Sequence, residues 1–504
     1  MAKRTRKKTV ARVAPTKAAT PFLHGTLAVS LCLAMLPASV AAGAQPRPFE
    51  VKLRRSILIK GQEQATYTLV QRMEHYRVPG ISVAVIEDCR IVDGRGFGTA
   101  DGRSAPVTTR TLFQAGSISK VVSAVAALRL VEDGKLSLGA DIRPSLRSWT
   151  LKTTRNVPEA PVTLRQLLGH TAGLNEVGGR GYDRSAPLPT LTQILEGSSP
   201  ANTPPIRVET APGRRWAYSS GSYYVVQALM TDATGNRFPS IIDRLVFRPA
   251  AMRDSTFSQP LESSRELQAA RAVGPDGSPL AGGWRVNPEL AAGGLWSTPS
   301  DLARFAIALA KDVRGDSHLL LRASSIRELM TRGPGNWGLG VDLGPPEGPR
   351  RLGHTGHNTG FVSEFVMYPD TCQGAVVMTN ADQGGGLITE VLRAIGDAYG
   401  WPDRRPLPVE SAVPLTDAII SRFTGNFRLR DFPAQTFTVS QAPGGNLYWA
   451  RTGHVGRDLF PQTDGKLFSP DNRMTLEAIG PHGTPAPALE LRFGGGKNFA
   501  DRMR

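Results

Sequence analysis

The stretch Thr111-Leu-Phe-Gln-Ala-Gly-Ser-Ile-Ser-Lys120 leads directly into an apolar run from Val121 to Val131. A run that is apolar on every side predicts a buried helix, and Gly134 follows it where such a helix would end. Ser117 and Lys120 are three residues apart, so helical geometry places both side chains on one face of the first turn. The sequence therefore predicts a buried helix that begins with a paired hydroxyl and amine.

This pair has two interpretations. A serine hydroxyl becomes a nucleophile when a base accepts its proton, and burial at the positive end of a helix shifts a lysine toward its neutral, basic form. Alternatively, Ser117 only caps the helix and Lys120 is a solvated side chain, which is the commoner situation for an isolated S-x-x-K in a long chain. Motifs further along the chain decide between the two.

The bulk composition is typical of a globular protein. The chain has 504 residues, of which 40% are hydrophobic and 20% charged, so it is long enough for two or three domains. The formal net charge is +17, and seven of the basic residues lie within the first 44 residues. The remaining positive charge is spread out without a basic–aromatic stripe. This argues against a nucleic-acid partner and is compatible with association with an anionic cell envelope.

The first 44 residues have the composition of a targeting segment. A basic arm without acidic residues is followed by the apolar segment Leu27–Leu36 and by Ala42-Gly-Ala44. This order predicts a secretory signal peptide over residues 1–44, cleaved after Ala44, and therefore a periplasmic or secreted protein. The alternative is an uncleaved membrane anchor, because residues 22–44 are nearly long enough to span a bilayer.

The remaining chain divides at a proline-dense linker, residues 401–415. Residues 416–504 contain short β runs between frequent turns, which predict a small antiparallel β domain. In the main domain, residues 45–400, the patterns predict a hairpin over Ile81–Glu87 and Arg90–Gly98 with Cys89 at its tip, strands at Phe361–Tyr368 and Ala375–Thr379, and helices at Tyr223–Ala233 and Leu387–Tyr399. Residues 297–310 predict a turn that leads into a helix, with Ser300 or Thr298 as its cap.

Two further short motifs contain residues that can do chemistry. Tyr218-Ser-Ser220 offers a phenol and two hydroxyls, although a tyrosine is more often a packed aromatic residue. His354-Thr-Gly-His357 has two histidines at the spacing of a metal pair, but the chain lacks a third-ligand pattern such as H-E-x-x-H. We therefore predict neither a metal site nor a cofactor.

Taken in order, S-x-x-K at 117–120, Y-x-S at 218–220 and H-T-G at 354–356 resemble the three signature motifs of the serine β-lactamase and penicillin-binding-protein superfamily. The chain is similar in particular to the class C branch, which includes DD-carboxypeptidases, D-aminopeptidases and esterases. The resemblance extends from about Gln64 to Tyr399, and it includes elements at residues 167–174, 249–257 and 292–302.

The resemblance implies an α/β (α+β) β-lactamase-like fold, in which an antiparallel sheet is flanked by helices and lies beside a mostly helical subdomain. The active site would lie between these two parts. The last domain resembles the lipocalin-like β-barrel that follows such hydrolases, where it affects access or specificity. In this fold the hairpin tips carrying Cys89 and Cys372 would be neighbours, so we predict a disulfide between them; two unpaired cysteines are the alternative.

The resemblance also implies catalytic roles. Ser117 would be the acylated nucleophile. Lys120 and Tyr218 would hold its hydroxyl and transfer its proton, and the choice of resting base stays open between them because they would titrate as a coupled pair. The backbone N–H groups of Ser117 and His357 would form the oxyanion hole.

The expected substrate-binding residues depart from the family pattern at two positions. Thr355 and His354, in the motif that Gly356 completes, would bind a substrate carboxylate or carbonyl. The family usually has a lysine at the His354 position, and histidine is largely neutral at pH 7. The second motif usually ends in asparagine, and Ser220 offers one hydroxyl in place of an amide. Both departures favour a peptidase or an esterase over an efficient β-lactamase.

Two functions are compatible with these motifs. The first is a serine hydrolase that forms an acyl-enzyme on Ser117 and acts on D-amino-acid peptides, peptidoglycan-like peptides or small esters. The second is a penicillin-recognising sensor or binding module without efficient turnover. The intact catalytic motifs argue against the second function, whereas the departures at Ser220 and His354 favour it.

Overall fold

The structure is a computed structural model that describes residues 47–63, 65–403, 406–442, 444–493 and 496–503. The signal peptide predicted over residues 1–44 lies outside these ranges. The described residues belong to one compact unit. Within the described ranges, no helix combines the length and apolarity needed to cross a bilayer.

The helices and strands occur in two blocks along the chain, a mixed α/β block and a final block of strands. The helices are α1 (Pro48–Val51), α2 (Leu69–Tyr76), α3 (Ile118–Glu132), α4 (Leu164–Leu168), α5 (Leu191–Glu196), α6 (Ser220–Thr234), α7 (Phe238–Ile242), α8 (Leu290–Gly293), α9 (Pro299–Arg314), α10 (Ala323–Met330), α11 (Gly384–Tyr399) and α12 (Asp417–Phe423). The strands of the first block are β1 (Leu58–Ile59), β2 (Gly80–Glu87), β3 (Arg90–Gly98), β4 (Phe113–Gln114), β5 (Lys152–Thr153), β6 (Arg207–Val208), β7 (Trp296–Ser297), β8 (Leu352–Asn358), β9 (Phe361–Tyr368), β10 (Gln373–Thr379) and β11 (Val409–Glu410). Those of the second are β12 (Gly425–Leu429), β13 (Thr436–Gln441), β14 (Leu447–Arg451), β15 (Arg457–Pro461), β16 (Leu467–Phe468), β17 (Thr475–Ile479), β18 (Ala488–Phe493) and β19 (Gly496–Arg502).

A five-stranded antiparallel sheet, in the order β3-β2-β10-β9-β8, forms the centre of the main domain. Successive side chains of β2 face opposite sides of it. Val83 and Val85 pack with α11, whereas Ala84 and Ile86 belong to the core that contains α3 and α9. Helices therefore cover both faces, which explains why β2 is apolar at nearly every position. Strand β8 lies at one edge of the sheet.

Helix α3 lies between the sheet and the helical part of the domain. It contacts α6, α7 and α8 on one side and β8 and β9 on the other. Every residue from Ile118 to Leu128 is buried, as the apolar sequence predicts. The polar side chains within this stretch, including Lys120, are therefore removed from water together with their apolar neighbours.

The predicted elements agree closely with the structure where a local signal marks their ends. The hairpin over β2 and β3 has its predicted bounds within one residue, and α9 is capped by Thr298, whose hydroxyl accepts from the Asp301 N–H at 3.1 Å. Helix α6 begins at Ser220, three residues before the predicted start. The Ser219 hydroxyl accepts from the Ser222 N–H at 3.3 Å, which caps the helix there.

The last eight strands close into an antiparallel barrel, β12 to β19, which confirms the predicted β domain. Phe427, Phe437 and Leu489 are among the side chains that fill its core. Short β runs at residues 425–429, 436–440, 446–450 and 489–493 predict four of these strands, β12, β13, β14 and β18, and the prediction missed β15, β16, β17 and β19. Strand β19 closes the barrel although most of its residues are polar or partly exposed, with Ala500 as its buried position. Residues 496–502 form a strand because their backbone pairs with β12 and β18.

The barrel is joined to the main domain by a strand pair and by buried charges. Strand β11, within the predicted linker, pairs in parallel with β1. The Arg72 guanidinium contacts Glu390 at 2.6 Å and Asp471 of the barrel at 3.1 Å, and all three side chains are almost completely buried. Because each charge is paired inside the interface, removal of one partner would leave another charge buried without compensation.

A disulfide joins the tips of two hairpins in the main sheet. The Cα atoms of Cys89 and Cys372 are 5.0 Å apart, and the Cys89 N–H donates to the Cys372 carbonyl at 3.2 Å. The antiparallel register of β2 and β10, which pairs Ile86 with Gly374, brings the two turns together.

The disulfide gives a first prediction. Replacing both Cys89 and Cys372 by serine should lower the free energy of unfolding by roughly 2–4 kcal/mol, because the cross-link closes a very long loop in the unfolded chain. When the mature wild-type protein is unfolded without reductant, iodoacetamide should add no mass to it. After reduction, iodoacetamide should modify two cysteines. Two adducts before reduction would show that the cysteines are free in solution.

Candidate active site

The first turn of α3 holds the hydroxyl and the amine in direct contact. The Lys120 ammonium nitrogen, Nζ, donates to Ser117 Oγ at 2.9 Å and to the Ala292 carbonyl, also at 2.9 Å. Ser117 lies just before α3, and its side chain makes no capping bond within the described chain. Lys120 is 0% exposed. The interpretation of this pair as a helix cap and a solvated lysine is therefore wrong.

Burial changes the acid–base behaviour of Lys120. Desolvation lowers the pKa of its amine from 10.5 to about 7, because removal from water penalises the charged form. A large fraction of Lys120 is therefore a free amine near neutral pH. In that form its lone pair can accept the proton of the hydroxyl it contacts.

Tyr218 lies next to both Ser117 and Lys120. Its ring centroid is 5.1 Å from Lys120 Nζ. Burial raises the pKa of Tyr218 to about 12, although a hydrogen bond with Ser117 acts in the opposite direction. The phenol is therefore protonated near neutral pH, where much of Lys120 is already a neutral amine. Lys120 is suited to take the serine proton, and Tyr218 is suited to pass a proton to a leaving group.

Two glycines let the edge strand approach the start of α3. Gly116 has φ +52°, and a Cβ added there would lie 2.5 Å from the backbone N of His357. A Cβ on Gly356 would lie 1.9 Å from the Ala115 carbonyl oxygen. The Ser117 N–H belongs to the end of a helix, where intrahelical acceptors are lacking. The His357 backbone N therefore lies next to the turn that leads into Ser117, which is the arrangement that the expected oxyanion hole requires.

Asp382 fixes the end of this edge strand, and sequence reasoning missed it. Its Oδ1 atom contacts His357 Nε2 at 2.9 Å and accepts from the Gly360 N–H at 2.8 Å. It therefore holds the β8–β9 turn, and with it the backbone of His357. Asp382 follows β10 in sequence, and only the tertiary structure brings it to the β8–β9 turn.

The strand alternation separates the residues of the H-T-G motif. His354 is 4% exposed, whereas Thr355 and the side chain of His357 are exposed. Burial, assisted by the Lys120 charge, lowers the pKa of His354 to about 3. Its Nδ1 donates to the Thr355 carbonyl, and its Nε2 has no hydrogen-bond partner in the part of the chain that the structure describes. His354 is thus a neutral residue behind the site, and Thr355 faces outward.

Ser220 is the first residue of α6 and is partly buried, two residues after Tyr218. Helix α6 therefore places the second motif beside the first turn of α3. Aromatic rings complete this part of the site: the Trp337 ring lies 5.8 Å from that of Tyr218 and 5.0 Å from that of His354. Trp337 has no motif around it that could have identified it from the sequence.

Comparison with known proteins agrees with this geometry. The sequence profile of the Beta-lactamase family matches residues 67–399. The chain belongs to the Beta-lactamase family. It is 25% identical to penicillin-binding protein 4 of Amycolatopsis lactamdurans, over 68% of this chain and 93% of that protein. It is 26% identical to the D-alanyl-D-alanine-carboxypeptidase/endopeptidase AmpH of Escherichia coli K12, over 59% of this chain and 78% of that protein.

The similarity in fold extends into the barrel. The octameric penicillin-binding protein homologue from Pyrococcus abyssi superposes with a TM-score of 0.57, at 21% identity, over 86% of this chain and 98% of that one. The predicted superfamily and the β-lactamase-like fold with a terminal barrel are confirmed, and the chain is a serine hydrolase of this family. The roles of individual residues and the substrate are proposals.

A second prediction concerns pH. The rate of Ser117 acylation should rise about tenfold per pH unit below pH 7 and level off above it, because only the neutral Lys120 amine accepts the serine proton and its pKa is about 7. Labelling by a fluorophosphonate between pH 5 and pH 9 measures this rate. Lys120→Ala should label slowly at every pH. A wild-type rate that still rises about tenfold per pH unit between pH 8 and pH 9 would contradict a depressed lysine pKa.

A third prediction tests the approach of β8. Gly116→Ala should lower kcat by roughly 10²-fold, since its Cβ would displace the His357 N–H from the oxyanion position. Gly134→Ala is the matched control: it also has positive φ, but its Cβ would meet no described atom within 4 Å. It should cost about 1 kcal/mol of stability and leave kcat unchanged. Equal losses of kcat would refute the oxyanion arrangement.

Proposed function

We propose that the protein hydrolyses D-amino-acid peptides of the peptidoglycan type, and small esters, through an acyl-enzyme on Ser117. The observation that carries this proposal is the contact between Ser117 Oγ and the fully buried Lys120 amine, with the Tyr218 phenol also next to Ser117. A buried amine with a lowered pKa is the kind of group that activates a serine hydroxyl.

Acylation then proceeds in two steps. Lys120 takes the proton of Ser117 as Oγ bonds to the substrate carbonyl carbon, and the N–H groups of Ser117 and His357 stabilise the resulting oxyanion. The tetrahedral intermediate collapses as the bond to the leaving group breaks, and the proton passes through Tyr218 to the leaving nitrogen or oxygen. Water attacks the acyl-enzyme along the reverse proton path, which releases the acid and regenerates Ser117.

The site would bind a substrate carboxylate without a cation from the H-T-G motif, because His354 is buried and neutral. The carboxylate of a β-lactam or of a terminal D-alanine would therefore depend on hydroxyl and backbone donors, and a small ester without a carboxylate would not need this contact. Thr355 is the exposed side chain of that motif, and Ser220 supplies a single hydroxyl. The similarity to a protein named as a D-alanyl-D-alanine carboxypeptidase and endopeptidase supports a peptide substrate.

An extracytoplasmic site of action is part of the proposal. The Cys89–Cys372 disulfide is typical of an oxidising compartment. This agrees with the export predicted for residues 1–44 and with a substrate in the cell envelope. A penicillin-recognising sensor without turnover is the second candidate, favoured by the departures at Ser220 and His354.

The fourth prediction distinguishes these candidates. The mature protein should release D-alanine from an N-acylated peptide ending in D-alanyl-D-alanine, and Ser117→Ala should not. Intact mass after treatment with benzylpenicillin should show one adduct, located on Ser117 and lost slowly. A lasting penicillin adduct without D-alanine or ester turnover would indicate the sensor. No adduct with either benzylpenicillin or a fluorophosphonate would refute an activated Ser117.

A further inference from the structure

His170 has a strained backbone and a buried ring next to the site, and the mechanism above does not use it. It follows α4 and Gly169 and has φ +59°, a left-handed conformation that costs free energy for a residue other than glycine. The side chain is 2% exposed. The Tyr223 hydroxyl of α6 donates to the Leu168 carbonyl at 3.1 Å, which ties this turn to α6. A strained residue that is held from several sides is a candidate for a functional role.

His170 holds the chain on both sides of Tyr218. Its carbonyl oxygen accepts from the Ala217 N–H at 2.9 Å, and its Nδ1 accepts from the Ser219 N–H at 3.2 Å. Ser219 is fixed further, since its hydroxyl donates to the Asn175 carbonyl at 3.0 Å. The backbone of Tyr218 is therefore fixed at the residue before it and at the residue after it.

The His170 ring also contacts the Tyr218 ring directly. The two centroids are 4.5 Å apart at an interplanar angle of 33°, whereas the rings of Tyr223 and Trp337 are 5.5 Å and 5.4 Å from His170. Because Nδ1 accepts a hydrogen bond, the ring proton is on Nε2, which has no hydrogen-bond partner among the described residues. The ring is thus a neutral packing surface for the phenol, with its orientation fixed by the Ser219 N–H.

We infer that His170 is a positioning residue that fixes the Tyr218 phenol against Ser117 through two backbone hydrogen bonds and one ring contact. The inference rests on the proposed function, in which Tyr218 passes a proton to the leaving group. Proton transfer depends steeply on distance and direction, and a shift of about 1 Å can cost 10²-fold in rate. A residue that makes these three contacts would therefore affect kcat without touching the substrate.

Two variants separate the contributions of His170. His170→Gly removes the ring and the Nδ1 acceptor but keeps the left-handed backbone and the carbonyl contact to Ala217. His170→Asn keeps that backbone, which asparagine tolerates, and its Oδ1 can replace Nδ1 as acceptor for the Ser219 N–H. We expect kcat for a p-nitrophenyl ester, per active site titrated with a fluorophosphonate, to fall about 10²-fold in His170→Gly. KM should change little, and His170→Asn should recover most of the loss.

A double-mutant cycle with Tyr218→Phe gives the fifth prediction and the decisive test. If His170 acts through the Tyr218 hydroxyl, adding His170→Gly to Tyr218→Phe should lower kcat by less than about threefold, because the group it positions is already gone. Additive losses, or a His170→Gly variant with normal kcat, would overturn the inference. The exposed His482 of the barrel provides the control: His482→Gly should leave kcat unchanged.

The same measurements separate the inference from the proposed function. If wild type and Ser117→Ala hydrolyse the ester at the same rate, the proposed function fails and the positioning role fails with it. If wild type is active and Tyr218→Phe is impaired, but the cycle is additive, only the positioning role is rejected. A fall in melting temperature with normal kcat per titrated site would likewise show a purely structural His170.

Discussion

The removal of one amine from water is the constraint on which the site depends. Transfer of a charged ammonium group from water to an apolar interior costs much free energy. The neutral form of Lys120 is therefore favoured, and its pKa falls to about 7. Its partners, Ser117 Oγ and the Ala292 carbonyl, satisfy its hydrogen bonds without supplying a full negative charge. His354 beside it is neutral as well. The apolar helix α3 thus buries a lysine and thereby favours its neutral form, which is the form the proposed mechanism needs.

The remaining catalytic geometry comes from close packing around that helix. The first turn of α3 meets the edge strand β8, and glycine at positions 116 and 356 leaves room for the approach. On the opposite side, α6 begins with a capped turn that carries Tyr218. These contacts involve backbone atoms for the most part, so the site is held by the packing of rigid elements and less by its exposed side chains.

The barrel contacts the main domain next to the segment that holds the edge strand β8. Gln383 Nε2 contacts His454 Nδ1 of the barrel at 3.1 Å, and the preceding residue, Asp382, holds the His357 side chain. The buried Arg72 fixes the barrel to the main domain through Asp471. The terminal domain is therefore packed next to the segment that sets the edge strand, and it belongs to the same compact unit as the hydrolase domain.

The sequence by itself determined the elements with strong local signals: the apolar helix α3, the β2–β3 hairpin, and the three short motifs. Hydrophobic patterns, caps and turns are properties of neighbouring residues, so they can be identified from the sequence without knowledge of the fold. Strand β19 could not be found in this way, because its ladder partners and not its own composition make it a strand. The roles of His170 and Asp382 depended on contacts between distant segments. Tertiary structure alone decided which groups are buried and neutral, since a pKa is set by surrounding atoms that the sequence does not place together.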